Sequence, residues 1–333
     1  NLATLEAFLH TYTAEGETPA LIISSAYPYS LVRREEEVNW KPPQSFDPSG
    51  AVRFFPRPFD LPPGIPDDPQ KRKQIKRITW LSEGVFRDWI SDKSLLTHFN
   101  EENLIQGGYV WVSDTERELV AGWRDEEGDN IQLWSKDEVP RVTVDRCSSA
   151  SQVYQAGRVW FQPGGGLWLL TRWRQDWQER GDLALQVLGD AGIGGERSAG
   201  HGQFTPHGPC SLSPFPAPTA GDRFVALSPY CPQANELPDV LKGSDARYRL
   251  LVRRGWMSSP DAAQSADGQT VRGSSLRRKS VRMLAEGSLL HWPNGTSTLG
   301  TLADVTPEVF NAVHPVWRYG LTFPVAYHVK RKG

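Results

Sequence analysis

The chain has 333 residues, of which 38% are hydrophobic, and it carries 37 Lys and Arg against 39 Asp and Glu for a net charge of −2. That composition excludes a disordered chain and a uniformly basic nucleic-acid coat, and no run approaches the roughly 18 apolar residues of a membrane span. Three cysteines without CxxC spacing exclude a disulfide framework and a zinc ribbon and suit a reducing, cytoplasmic setting.

Charge is unevenly placed. Residues 1–140 hold 15 Lys and Arg against 24 Asp and Glu, a net of −9, whereas residues 141–333 hold 22 against 15, a net of +7. Such asymmetry suits an RNA-facing basic side and an acidic side turned to a protein partner.

Leu2, Leu5, Phe8 and Leu9 recur at helical spacing, so the chain opens in an amphipathic helix. Residues 20–25 read as a strand. Residues 28–69 are proline-rich and read as a long irregular connection anchored by Phe54 and Phe55. Residues 71–77 hold five basic side chains and read as a solvated run leading into a helix over 82–90, with phosphate contact as the alternative. Residues 100–112 read as a short helix and strand, and 114–129 as acidic and turn-rich. Residues 141–146 alternate like a strand. Residues 157–173 read as a hairpin of two apolar strands around Pro163-Gly164-Gly165-Gly166.

Next comes the densest signal in the chain. Residues 181–191 place Leu183, Val187, Leu188 and Ala191 on one helical face. Six glycines then fall within residues 189–202, with Arg197 and Ser198 in the middle. Glycine lets a backbone approach a ligand closely. Successive bare N–H groups form an anion-binding concavity, and Arg197 adds a forked donor that suits phosphate. The dinucleotide and Walker phosphate loops both run strand, loop, helix. Here a helix precedes the loop and 203–205 read as a short strand, so both are excluded. His201 also stands where a Walker loop needs lysine. A purely structural glycine turn remains the alternative.

Residues 206–218 form a second proline-rich connection. Strands are expected over 222–230, 247–257, 279–290 and 317–329, with a mobile loop over 258–275. Strands mixed with few helices indicate an α+β architecture.

A helix followed by G-x-G-G-x-R-S-x-G-x-G resembles the glycine-rich signature of the RAMP superfamily of CRISPR proteins. Within it, the chain is most similar to the Cas-five-like subunits of type III-A (Csm) effector complexes. The resemblance extends through residues 24–29, 54–58, 142–146, 159–170, 251–256, 283–288 and 314–320, in the expected order. It implies tandem ferredoxin-like (RRM-like) domains over 1–180 and 181–333, with a projecting thumb hairpin and the glycine-rich loop. It also implies a first strand before the opening helix, expected to be missing from this sequence.

In function the resemblance implies a non-catalytic subunit that clamps the 5′ handle of the crRNA between glycine loop and thumb. Such a subunit also seats a large cyclase-bearing subunit and starts the backbone of RAMP subunits. The RNA-binding residues so implied are Gly192, Gly194, Gly195, Arg197, Ser198, Gly200, His201 and Gly202 in the loop. Arg57 occupies the family's basic position in Phe-Pro-Arg-Pro, and Arg141, Arg146 and Arg158 flank the thumb. Cys147-Ser148-Ser149 departs from the family's Thr-Gly there. Arg253, Arg254 and Arg318 lie in the late motifs, with an RNA-facing or a structural role. No cofactor, metal or membrane is implied.

Two alternatives stay open. The equivalent type III-D subunit shares the glycine signature. A RAMP endoribonuclease would use His201 as its acid-base group, with His207 six residues on. HExxH, Asp-x-Asp and Gly-Asp-Asp motifs are absent from the sequence.

Overall fold

Phe54 and Phe55 are adjacent and both wholly buried. Neighbours on a strand point to opposite sides, so the sheet holding them is covered on both faces. A computed structural model describes residues 2–13, 18–37, 40–41, 50–125, 127–128, 130–144, 151–210, 213–259, 261–264, 268–310 and 313–327. In chain order its first elements are α1 (Leu2–Thr13), β1 (Leu21–Ile23), β2 (Tyr27–Leu31), β3 (Ala51–Pro56), α2 (Pro69–Arg77), β4 (Trp80–Ser82), α3 (Glu83–Ile90), β5 (Leu104–Ile105), β6 (Val110–Trp111) and α4 (Asp114–Val120). Then come β7 (Trp134–Val144), β8 (Ser151–Phe161), β9 (Gly165–Trp168), β10 (Thr171–Trp173), α5 (Gln178–Ala191), β11 (Arg223–Ala226), α6 (Leu237–Val240) and β12 (Leu250–Arg253). The last are β13 (Ala262–Gln264), β14 (Thr270–Arg272), β15 (Val281–Leu284), β16 (Leu289–His291), β17 (Ala303–Asp304), β18 (Trp317–Arg318) and β19 (Pro324–Tyr327).

The chain folds as two units, one of residues 26–57 and 61–168, the other of 1–25, 58–60 and 169–333. This differs from the sequence expectation of a boundary at residue 180. Strand pairing explains the difference, because β10 completes a ladder with β1 and so holds the chain after 168 with the first strand.

In the unit of residues 26–57 and 61–168, a six-stranded sheet runs β5-β6-β4-β3-β2-β9. The β4–β6 pair is parallel and the others are antiparallel. Phe55 stacks on Phe86 of α3 with centroids 4.5 Å apart, and Trp168 meets Phe55 edge-on at 4.8 Å. Phe54 packs on the other side with Val52, Val110, Trp123 and Trp134. Burying such a phenylalanine contributes about 1.5–3 kcal/mol.

The expectation of an irregular stretch over 28–69 is corrected by β2, β3 and the start of α2. Pro28 is accommodated because the ladder to β3 begins only at Tyr29, beyond the proline. The basic run at 71–77 is itself helical: Asp68 caps α2 by accepting from the Gln70 and Lys71 amides, and Pro69 opens it. The turn-rich expectation over 114–129 is likewise corrected by α4, which starts with a Ser113–Glu116 capping box.

The expected hairpin over 157–173 does not form. β8 pairs with β7 along eleven residues each, while β9 pairs with β2 and β10 with β1. The turn at Pro163-Gly164 therefore passes the chain from one sheet to another, and the longer ladder takes β8.

The unit of residues 1–25, 58–60 and 169–333 contains a three-stranded sheet, β16-β11-β19, with smaller pairs β1-β10, β12-β15, β13-β14 and β17-β18. Phe224, Tyr230, Leu284, Leu290 and Trp292 form its main core. Phe8 of α1 meets Trp177 edge-on at 5.2 Å, which seats that helix beside the start of α5. Residues 258–275 contain the β13–β14 hairpin rather than a structureless loop. Ala263 anchors it on Met257 and Phe310. No strand forms at 203–205.

Candidate nucleic-acid interface

The glycine-rich loop follows directly from the C-terminus of α5, as its sequence order implies. The Gly192 amide closes the helix onto the Leu188 carbonyl at 2.8 Å. Gly192 then takes φ 76°, ψ 162°, a region open essentially to glycine alone. The Ile193 amide reaches across to the Gly202 carbonyl at 2.9 Å and shuts the loop at its neck. Within it Glu196 is left-handed at φ 56°, and a single 3-10 turn over Arg197–Ala199 carries the chain to Gly200. Gln203 Nε2 donates to the Asp190 carbonyl at 3.1 Å and so satisfies one of the last helical acceptors.

These glycines divide into two kinds. A Cβ on Gly192 would sit 2.9 Å from the His201 carbonyl oxygen, and one on Gly202 would overlap the Ile193 carbonyl. Both glycines shape the neck. Around Gly194, Gly195 and Gly200 nothing among the described residues lies within 4 Å of where a Cβ would stand. Those three hold an open, exposed backbone that a ligand can approach.

The amides of Gly194 and Gly195 make no backbone hydrogen bond among the described residues, and Arg197 there has no ion pair. Ser198 is described for its backbone only. The loop faces the carbonyl end of α5, so the helix dipole does not favour an anion here. Attraction has to come from Arg197 and the free amides, offset in part by the neighbouring Glu196. His201 is half-buried, and its amide donates to the Glu196 carbonyl at 3.3 Å.

Arg57, Arg141 and Arg158 belong to the other unit. Arg57 follows β3; its amide donates to the Thr79 carbonyl and its Nε to the Ile78 carbonyl at 3.1 Å, a structural tie. Arg141 and Arg158 lie on the β7–β8 hairpin, where register pairs Arg141 with Tyr154 and Arg158 with Asp137. Both arginines therefore share one face with Tyr154 and Trp160, and the Arg158 guanidinium lies 6.0 Å from the Trp160 ring centroid. The opposite face carries Val142, Val144, Val153 and Val159, all more than half exposed. Arg146, with 145–150, lies outside the described residues.

Tyr154 and Trp160 are not among the candidates the sequence supplies, although their strict alternation with Arg158 is a signal that could find them. Leu183 and Val187 share the helical face expected of α5, yet both side chains are over 60% exposed.

Among the described residues no cluster of His, Cys, Asp or Glu could hold a metal, and no helix is long and apolar enough to cross a membrane. One Ser/His/Asp grouping that spacing does not reveal is present: Ser259 Oγ lies 2.9 Å and Asp261 Oδ2 3.5 Å from the same His314 nitrogen, Nε2. A nucleophilic triad needs serine and carboxylate on opposite ring nitrogens. Here Nδ1 faces the Pro315 carbonyl, and the His314 ring packs edge-on against Phe310. The grouping pins the hairpin-bearing segment.

Similar folds recur in CRISPR effector subunits. The chain superposes on a structure described as the Csm3–Csm4 subcomplex of the type III-A interference complex with a TM-score of 0.58 at 13% identity, covering 93% of this chain and 84% of that one. A Csm1–Csm4 cassette in complex with pppApApA gives a TM-score of 0.50 at 14% identity over 99% and 84%. At such identities the likeness is one of fold, a mixed α+β architecture.

Sequence carries the assignment further. Residues 219–327 match the CRISPR Csm4 C-terminal domain. A relative named CRISPR system Cms protein Csm4 from Mycobacterium tuberculosis (strain CDC 1551 / Oshkosh) is 29% identical over 169 residues, 50% of this chain and 48% of the relative. Its namesake from Thermococcus onnurineus (strain NA1) is 27% identical over 197 residues, 58% and 54%. The matched stretches thus span about half the length of those relatives. Together these matches make the chain similar to Csm4 proteins, with a Csm4 C-terminal domain at residues 219–327.

Proposed function

We propose that the chain is a non-catalytic RNA-binding subunit of a type III-A CRISPR effector that holds the 5′ handle of the crRNA. The observation that carries this reading is the sorting of the loop glycines. Gly192 and Gly202 build a closed neck, and Gly194, Gly195 and Gly200 leave bare backbone beside Arg197, which has no ion pair among the described residues. A turn that merely reversed the chain would need the neck alone. Single-stranded RNA is held by such backbone approach together with basic and aromatic side chains. The Arg141, Arg158, Tyr154 and Trp160 face of the β7–β8 hairpin supplies the second kind of contact, in the role of the family's thumb. Tandem ferredoxin-like domains and a cytoplasmic setting belong to the same reading.

The exposed valines on the hairpin's other face and the exposed Leu183 and Val187 of α5 support protein partners. By likeness to the Csm3–Csm4 and Csm1–Csm4 assemblies, those partners are a backbone RAMP subunit and the large cyclase-bearing subunit. Catalysis is assigned to them. The competing reading is an endoribonuclease using His201, and the same experiment decides between the two. Labelled handle RNA and a scrambled RNA of equal length are titrated across a salt series, and the RNA is then run on a gel. Intact RNA with preference for the handle is expected. Cleaved RNA whose cleavage is lost in His201→Ala would replace this reading with the nuclease.

A further inference from the structure

Three arginines converge in one cleft, two of them, Arg253 and Arg318, from the late motifs whose role the sequence left open. Arg253 ends β12, Arg318 lies on β18, and Arg278 follows β14 with its amide held by the Gly255 carbonyl at 2.9 Å. With Met283, Trp317 and Tyr319 they line a cleft of about 240 Å³. Drug-sized ligands occupy about 300–1,000 Å³, so this space suits a single phosphate with part of its nucleotide.

Its electrostatics are unbalanced. Among the described residues the one carboxylate paired to the three guanidiniums is Glu286, whose Oε1 lies 4.0 Å from Arg253 Nη2 and already accepts from Ser25 Oγ at 2.6 Å. Arg278 and Arg318 have no ion pair there, and Arg278 Nε is buried with no hydrogen-bond partner. Arg318 is held below the usual guanidinium range, first by burial and then by the positive charges of Arg278 and Arg253. Like charges gathered in a concavity with an orphaned donor lack an anion.

The walls are stiff. Tyr319 Oη accepts from the Ile23 amide at 3.1 Å and donates to the Leu21 carbonyl at 3.4 Å, so its ring is locked. Met283 lies on the same side of its strand pair as Arg253, because Leu251 is opposite Met283 and Arg253 is opposite Val281. Guanidinium forks match phosphate oxygens bidentately, and a half-buried tryptophan beside them offers a base or ribose a flat surface.

We infer that the Arg253–Arg278–Arg318 cleft is a second RNA-phosphate site, which seats one defined phosphodiester of single-stranded RNA with Trp317 against the adjoining nucleotide. The inference rests on the RNA-binding reading above and adds a fixed point to it. The mobile anions of bulk solvent are displaced by one linkage, so RNA register becomes defined.

The test scans handle RNAs that each carry a neutral methylphosphonate at one linkage, against the wild-type chain and the Arg278→Gln/Arg318→Gln variant. One linkage is expected to cost about tenfold or more in wild-type affinity and to cost nothing further in the variant. The variant should also show a salt slope shallower by about 0.7 for each phosphate it no longer neutralises. Because the scan alters the RNA, a wild-type chain with no sensitive linkage overturns the inference even if the variant misfolds. If every linkage that is sensitive in the wild-type chain stays sensitive in a folded variant, the inference is overturned and the glycine-loop reading stands. Binding of an acidic peptide at the cleft with RNA affinity unchanged assigns it to a protein partner instead. If the wild-type chain binds no RNA at all, the RNA-binding reading falls, and this inference falls with it.

Discussion

The α-carbon of Gly202 faces the carbonyl oxygen of Ile193 so closely that no side chain fits between them, while the Ile193 amide donates to the Gly202 carbonyl at 2.9 Å. Gly202→Ala therefore combines a clash with a φ of 77°. Gly194→Ala meets only the second problem, because its φ is 85° and its surroundings are open. The left-handed cost alone is about 1–3 kcal/mol. In urea unfolding, Gly202→Ala should lose more stability than Gly194→Ala, and equal losses would remove the neck from the account.

Arg197 is exposed and makes no ion pair among the described residues. Arg197→Ala should keep its unfolding free energy in urea within about 0.5 kcal/mol of the parent's. Handle affinity should fall, and the salt slope should flatten by about 0.7 for one phosphate released. Unchanged affinity and slope would show that the loop does not touch RNA.

The hairpin's two faces should separate by assay. Tyr154→Ala and Arg158→Ala remove the stacking and basic face and should weaken RNA binding, with about 1–3 kcal/mol for a stacked base. Val142→Ser and Val153→Ser alter the opposite face. They should leave RNA binding alone while weakening pull-down of partner subunits from a reconstituted complex. Loss of RNA binding in the valine variants would show that the assignment of faces is reversed.

Much of the fold is legible in the sequence, and the failures are physical. The order of α5 and the glycine loop is visible because helical periodicity stops at a glycine cluster. The starts of α2 and α4 carry capping signals, Asp68-Pro69 and Ser113-x-x-Glu116, but the charge runs around them hide both helices from a sequence reading. β2 is hidden by Pro28, whose cost depends on where the β3 ladder begins, a fact of register that no local pattern records. Leu183 and Val187 line up at helical spacing, but periodicity reports amphipathicity, not what covers the apolar face. Arg278 escapes a sequence reading because Arg253 and Arg318 lie on separate strand pairs and meet it only at the folded cleft.

Alkaline stability offers a check on the β1 region. Tyr12 Oη donates to the Leu21 carbonyl at 3.0 Å and accepts from the Leu21 amide at 3.1 Å. Burial pushes Tyr12 up to about 12, outweighing the backbone hydrogen bond that pulls it down, against about 10 in an unfolded chain. A raised phenol stabilises the fold in its neutral form, so its contribution is complete below pH about 10 and is lost as pH rises through about 12. Tyr12→Phe should be less stable by about 1 kcal/mol at pH 8. That gap should close between pH 10 and 12 in thermal melts, and a gap that stays constant with pH would show that Tyr12 does not titrate with unfolding.

The pairing of β1 with β10 also sets a schedule for synthesis. Ile22 lies opposite Arg172, 150 residues later in the chain. At about 5–20 residues per second, a nascent β1 waits roughly 8–30 s for its partner strand to leave the ribosome. The intervening residues 26–57 and 61–168 form a unit whose sheet needs neither strand. That unit can fold first, while the apolar Leu21-Ile22-Ile23 edge stays open. The order of translation thus makes this short strand the natural place for a holdase to bind, and the point where a stalled or truncated product would begin to aggregate.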